Sequence, residues 1–216
     1  WTASLLGKIT FQLDDWLVGT IERPRATVWL SSGVLPESFY FRAYTAGKMP
    51  MDVFAGMIGH VALPLYSRSE SEGREQLRRV YHHMTWALTH MIFLSGTFAL
   101  IATEEVVTIV LGERWLDTVH LFRLMALYIV ARPFWQNGSQ LLLAVGRERA
   151  MRWTVAVQAV FMLIACPPAV WHWGAAGAAV VVSIMAVIGW ITSERFVTET
   201  LGTSTWSLYL VPGLTA

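Results

Sequence analysis

Trp153-Thr154-Val155-Ala156-Val157-Gln158-Ala159-Val160-Phe161-Met162-Leu163-Ile164-Ala165-Cys166-Pro167-Pro168-Ala169-Val170-Trp171 is followed, after His172-Trp173-Gly174, by Ala175-Ala176-Gly177-Ala178-Ala179-Val180-Val181-Val182-Ser183-Ile184-Met185-Ala186-Val187-Ile188-Gly189-Trp190-Ile191-Thr192-Ser193. Neither stretch holds an Asp, Glu, Lys or Arg. A helix needs about twenty mostly apolar residues to cross the hydrocarbon of a bilayer, and each stretch has that length. Membrane barrels are built from alternating segments of about ten residues, and these runs are too long and too uniformly apolar for that. Helices are the other way to satisfy every backbone group in lipid.

Working outward, four further runs have the same character: Ala3 to Ile21, Phe39 to Leu65, Val80 to Ala102 and Thr118 to Val145. The reading is an all-α, polytopic transmembrane helix bundle of about six spans over residues 1–199. The second and fourth runs exceed the hydrocarbon thickness and should tilt or bend. Pro50 and Pro133 are the expected kink points, because proline removes a backbone hydrogen bond and crowds the preceding turn. Residues 200–216 close on Leu208 to Leu214, the truncated start of a further apolar segment. The chain opens at Trp1 inside an apolar stretch, so it reads as a fragment cut at both ends.

Composition agrees. Of the 216 residues 55% are hydrophobic and 14% charged, where a soluble domain carries about a quarter charged. Eleven Trp and six Tyr suit a protein with many membrane–water boundaries. The net charge of +1 argues against nucleic-acid binding, which needs a clustered basic surface. The single cysteine, Cys166, excludes an internal disulfide and reads as a small packing residue. Sequence signatures of metalloproteases, serine hydrolases, phosphate loops and paired-cysteine sites are missing, so the chain is not read as an enzyme and no metal or organic cofactor is called for.

Arginines set an orientation. Arg68, Arg74, Arg78 and Arg79 lie in the second connection, Arg147, Arg149 and Arg152 in the fourth, and Arg195 after the sixth run. The other side has Arg23, Arg25 and Arg114. The first group is cytoplasmic by the positive-inside rule, which puts loops 66–79 and 146–152 inside. Ser69 to Arg79 reads as a surface helix leading into the third span, with Glu75 paired to Arg78 or Arg79 at helical spacing. Gly174-Ala175-Ala176-Gly177-Ala178-Ala179 reads as a place where helix backbones approach closely.

Ionisable residues inside spans are costly and face cavities or partners. Lys8, Gln12, Asp15 and Gly19 form one stripe at helical spacing, with Asp14 on its flank. Arg42, Thr45 and Asp52 share a face of the second run, with Lys48 one turn before Asp52. Arg132, Gln136, Ser139 and Gln140 form a third stripe, with Asn137 beside it. Three polar stripes imply a water-accessible cavity between helices. Lys48 and Asp52 also read as a pair that neutralises itself. His60, His82, His83, His90, His120 and His172 do not form a chelating pattern, and Glu104-Glu105 reads as a wet helix end.

Several local patterns resemble, in order, the polysaccharide transporter branch of the multidrug/oligosaccharidyl-lipid/polysaccharide flippase superfamily. Leu13-Asp14-Asp15-Trp16-Leu17-Val18-Gly19 is similar to that family's Asp-containing segment. Phe39 to Tyr44 with Met49-Pro50, and Ala62 to Arg68, resemble its next helix and that helix's end. Val110-Leu111-Gly112-Glu113-Arg114-Trp115 and Leu143-Ala144-Val145-Gly146-Arg147 resemble two of its turns, and Gly174 to Ala179 the start of the following span. Residues Arg23 to Glu37 depart from it, being longer and less regular than the family's short link.

The resemblance implies the second of two lobes, the partner lobe lying before Trp1. It implies an oligosaccharide flippase of a bacterial inner membrane. Such a protein moves undecaprenyl-pyrophosphate-linked oligosaccharide from the cytoplasmic to the periplasmic leaflet by alternating access, for capsule, exopolysaccharide or O-antigen synthesis. Arg42, Lys48, Arg132, Gln136 and Gln140 would then line the substrate cavity. Asp15, followed by Asp14 and Asp52, would bind a coupling proton or sodium ion. A drug or cation exporter of the same superfamily would want a more acidic cavity than these stripes offer. A polytopic glycan-processing enzyme would need loops longer than about fifteen residues.

Overall fold

The computed structural model describes residues 16–18, 20, 60–110, 112–116 and 118–203. Among them every regular element is helical and no strand occurs. Most of the first two expected spans, residues 204–216 of the terminal segment, and the candidate residues Asp14, Asp15, Arg42, Lys48 and Asp52, with Pro50, lie outside the described residues.

A helical run at 60–71, α1, ends at Gly73, whose φ of 113° reverses the chain. Helix α2, Arg74–Ile101, follows directly. The boundary between second and third segments is therefore this one glycine. Residues 69–71 close α1 and residues 74–79 open α2, rather than forming a separate surface helix. The expected pair inside that stretch is present, Arg78 Nη2 meeting Glu75 Oε1 at 2.9 Å.

The short helix α3, Thr103–Val110, and a 3-10 turn, Glu113–Trp115, connect α2 to α4, Thr118–Leu124. Helix α5, Ala126–Ala144, continues the fourth segment. Helix α5 is unbroken through Pro133, and the fourth segment is interrupted at Met125. The Leu124 carbonyl at that break accepts from the Ser183 hydroxyl at 2.9 Å, so a partner on another helix satisfies a backbone group that the interruption exposes.

Helix α6, Glu148–Leu201, has 54 residues and is interrupted at Gly174 (φ 61°, ψ −140°). It is long and apolar enough to cross a membrane, and α2 with α3, bent at 78°, passes the same length-and-composition test as a broken pair. Straight, α6 would be about 80 Å long. Instead its arms, 148–173 and 175–201, fold back on each other. Gln158 Nε2 donates to the Met185 carbonyl at 3.2 Å, and Arg147 Nη1 to the Thr200 hydroxyl at 2.8 Å. Partner numbers fall on one arm as they rise on the other, as in an antiparallel hairpin. At Gly177 a Cβ would collide with the Ala169 carbonyl, so the small-residue run works as a close backbone contact.

The hairpin is the backbone of the bundle. Helix α5 packs along it and α2 packs on α5. Toward the Gly174 turn the core holds Phe122, Met125, Met162, Cys166, Val182 and Met185. Toward the other end it holds Tyr66, Tyr81, Ile92, Phe134, Leu141 and Val197. Phe134 stacks on Trp190 with ring centroids 5.1 Å apart.

The outer surface is apolar where a water-facing protein would be charged. Leu94, Phe98 and Ile101 on α2, and Val157, Val160, Leu163 and Ile164 on α6, are exposed. Contiguous exposed apolar faces of this kind mark a membrane or partner surface. Polar ends agree with the arginine pattern: Arg74 Nε donates to the Thr200 carbonyl at 2.8 Å, and Arg147 reaches the same residue. Connections 66–79 and 146–152 therefore meet the end of α6 at one pole of the bundle, and Gly174 lies at the other.

Candidate functional site

Within the largely apolar core a small group of polar side chains is buried. Buried polar side chains need hydrogen-bond partners, and α1, α2, α5 and α6 supply them to one another. The Tyr66 hydroxyl donates to Asn137 Oδ1 at 2.7 Å. Asn137 Nδ2 donates to the Thr85 hydroxyl at 3.1 Å. The Tyr81 hydroxyl donates to Glu194 Oε2 at 3.0 Å. The rings of Tyr66 and Tyr81 lie 5.9 Å apart, so the two hydrogen-bonded chains touch. Glu194, Tyr66, Tyr81 and Thr85 have no exposed surface and Asn137 has 1%. Glu194 is thus enclosed at full depth with the Tyr81 hydroxyl on its Oε2.

One turn deeper, Gln158 is fully buried and lies across Gly189, where a Cβ would collide with its amide nitrogen. Glycine at 189 is therefore what admits a glutamine between the two arms. Ser183, Ser193 and Thr154 on the arms of α6 are also buried, Ser183 donating outward to Leu124. Ser193 donates to the Trp190 carbonyl and Thr154 to Ala150, at 2.9 and 3.2 Å, so both hydroxyls are satisfied within their own helix turns.

The third expected stripe lies on α5. Arg132, Gln136 and Gln140 recur on one half-buried face, while Asn137 and Ser139 of the same helix are buried. The Arg132 guanidinium carbon lies 4.6 Å from the Trp135 ring centroid and 5.9 Å from that of Tyr128. Aromatic faces attract a cation at such distances and hold the guanidinium in one orientation. An oriented guanidinium presents paired N–H donors suited to phosphate or carboxylate. Arg42 and Lys48, the other basic candidates, lie outside the described residues, as do Asp14, Asp15 and Asp52.

Sequence patterns singled out Asn137 only as a neighbour of the stripe, and missed Tyr66, Tyr81, Thr85, Gln158 and Glu194 as a group. Glu194 directly follows the apolar run that ends at Ser193. A carboxylate at that position reads as a wet helix end until a partner 113 positions away is seen to cover it. Glu104, by contrast, is an exposed acid at the start of α3, pairing with Arg123 at 3.2 Å. His83 and His90 each place Nδ1 at 2.8 Å from the carbonyl one turn back. Among the described residues no three His, Cys, Asp or Glu side chains are grouped to hold a metal.

Residues 31–120 match the model of a family described as polysaccharide biosynthesis protein. The match covers the second and third apolar segments and the connection between them, including Tyr66, Tyr81 and Thr85. It supports the polysaccharide transporter family that the sequence resembles, without singling out a particular member. No curated protein and no solved structure matches the chain.

Proposed function

We propose, taking the match to a polysaccharide biosynthesis family over residues 31–120 as the premise, that this chain is a lobe of a membrane transporter. Its cargo is a lipid-linked oligosaccharide, moved from the cytoplasmic to the periplasmic leaflet. The family match is the observation that carries this reading. The exposed apolar faces of the bundle support it, with Leu94, Phe98 and Ile164 on the surface, as does the small buried polar group of Glu194, Gln158 and Asn137.

In this reading each arm of α6 crosses the bilayer once. An arm is about 40 Å long at 1.5 Å per residue, enough for roughly 30 Å of hydrocarbon with some tilt. The third and fourth segments cross as α2 and as α4 with α5, and two more spans precede them, giving six. The arginine-rich pole faces the cytoplasm.

The transport chemistry is electrostatic. Arg132, held by Trp135 and Tyr128, joins Arg42 and Lys48 in attracting the pyrophosphate of the carrier, while Gln136 and Gln140 offer hydrogen bonds to sugar hydroxyls. The prenyl tail stays in lipid. Asp15, Asp14 and Asp52 are the carboxylates that bind a coupling proton or sodium ion, because a carboxylate moved between wet and dry surroundings changes its affinity for cations. The lobe works by alternating exposure of this cavity and breaks no covalent bond.

The test is genetic and chemical. Deletion of the gene should abolish surface polysaccharide and leave lipid-linked oligosaccharide at the inner leaflet. Normal polysaccharide with no such accumulation would refute the reading.

A further inference from the structure

At the arginine-rich pole the two arms of α6 carry a basic groove separate from the buried polar group within the bundle. Arg149, Arg152 and Trp153 line one part of it, and Trp153, Arg195, Phe196 and Glu199 the adjoining part. With Arg147 and Glu148 the main groove has a volume of about 520 Å³, within the roughly 300–1,000 Å³ of small-molecule sites. Four arginines face two glutamates there. Arg152 pairs with Glu148 at 3.2 Å and Arg147 bonds to Thr200. Arg149 and Arg195 are exposed, and neither has an ion-pair or hydrogen-bond partner among the described residues.

The placement of these arginines is what gives the groove a ligand class. On the first arm Arg149, Trp153, Val157, Val160 and Ile164 recur at three- and four-residue steps, and all are exposed. They form one helix face, basic at its end, aromatic next, then apolar. On the second arm Arg195, Ile191, Ile184 and Val180, all exposed, run from basic to apolar with no ring between. A cation leading into an apolar track on both arms, with Trp153 at the membrane–water boundary on the first, matches an amphiphile with an anionic head and alkyl tails.

We propose that this groove binds an anionic glycerophospholipid of the cytoplasmic leaflet. Arg149 and Arg195 hold its phosphodiester, Trp153 packs at the glycerol level, and the acyl chains lie along Val157, Val160 and Ile191. The site is distinct from the substrate cavity, and the inference rests on the membrane reading above. Occupancy ties the two arms together at the pole where Arg74 and Arg147 already meet Thr200.

The test is native mass spectrometry of the intact protein released from nanodiscs holding equal phosphatidylglycerol and phosphatidylcholine of the same acyl chains. The unsubstituted protein should retain phosphatidylglycerol preferentially. The double variant Arg149→Gln/Arg195→Gln should lose that preference, by roughly fivefold per arginine, the order of magnitude one cation contributes near an anionic leaflet. Arg123→Gln, at the opposite pole, should keep it. Equal retention of the two lipids by the unsubstituted protein, or an unchanged preference in the double variant, overturns the proposal. Release of the bound lipid by millimolar inorganic phosphate would mark a site for soluble phosphate and also overturns it. Entry into the discs is scored separately. A protein that does not insert fails the membrane reading, and one that inserts without lipid preference fails this inference alone.

Discussion

The hydroxyl of Tyr66 donates to the side-chain carbonyl of Asn137 at 2.7 Å, across 71 positions of sequence and with both residues buried. Asn137 passes its own amide on to Thr85, so one side chain on α5 ties α1 to α2. A neutral amide, which both donates and accepts, makes this link without burying a charge.

Asn137→Ala should therefore cost more than Tyr66→Phe. The first leaves two buried hydroxyls without this partner, and the second leaves one amide oxygen. A buried polar group stripped of its partner costs about 1–3 kcal/mol. Thermal unfolding of the detergent-solubilised protein should rank unsubstituted above Tyr66→Phe above Asn137→Ala. The double variant should lose less than the sum of the two, as residues sharing one network do. Additive losses would mean that the bond is not a stabilising link.

Glycine substitutions inside the hairpin should separate by what they strike. Gly177→Ala drives a methyl into the Ala169 backbone, which moves only if the arms part, an overpacking cost of about 1–3 kcal/mol or more. Gly189→Ala strikes the Gln158 side chain, which moves at the loss of its buried bond to Met185, and presses on Trp135 at 3.1 Å, a cost of about 1–3 kcal/mol without displacing backbone. At Gly96 the nearest atom is a Val130 methyl at 3.7 Å, so Gly96→Ala should be neutral. The same unfolding assay checks the order, and an inverted order would refute the hairpin packing.

Glu194→Ala should destabilise the bundle by about 1–3 kcal/mol, since it removes the acceptor of the Tyr81 hydroxyl in a fully buried place. Glu194→Gln keeps an oxygen for that bond and should be the milder change. The exposed pair Arg123–Glu104 is the contrast: Arg123→Ala should shift stability by less than about 1 kcal/mol. Comparable losses in Glu194→Ala and Arg123→Ala would count against the buried network.

Charge reversal at Arg132 probes transport. Arg132→Glu should abolish polysaccharide export while leaving membrane insertion intact, because it reverses one charge on a half-buried polar stripe and leaves the apolar faces of the bundle unchanged. Arg132→Lys keeps the charge but loses the planar donors, so export should fall without vanishing. Surface polysaccharide and membrane-fraction protein, measured together, distinguish lost transport from lost protein.

Hydropathy made the hairpin legible. The charge-free run from Trp153 to Ser193 marks both arms, and Gly174 with its small neighbours marks the turn. Local chemistry also exposed the pole where Arg74, Arg147 and Thr200 meet, because arginine counts report the wet ends of apolar segments. Tertiary pairings decided the rest. Nothing in the local sequence marked the interruption at Met125, where Ser183 takes up the Leu124 carbonyl. Glu194 and Tyr81 are each unremarkable in their own windows, and only the packing of α2 on the hairpin makes them partners. Asn137 sits within the polar pattern around Arg132, but periodicity alone did not say that Asn137 faces inward while Arg132 is half-buried.

The most direct measurement is the sidedness of an undecaprenyl-pyrophosphate-linked oligosaccharide in sealed proteoliposomes carrying the intact protein. An impermeant glycosidase added outside reports how much cargo each leaflet holds. If the lobe belongs to a flippase, cargo initially shielded in the inner leaflet becomes cleavable far faster than in protein-free vesicles, and the Arg132→Glu protein does not speed it. Cleavage that stops at the outer-leaflet pool, at the protein-free rate, would contradict the central claim.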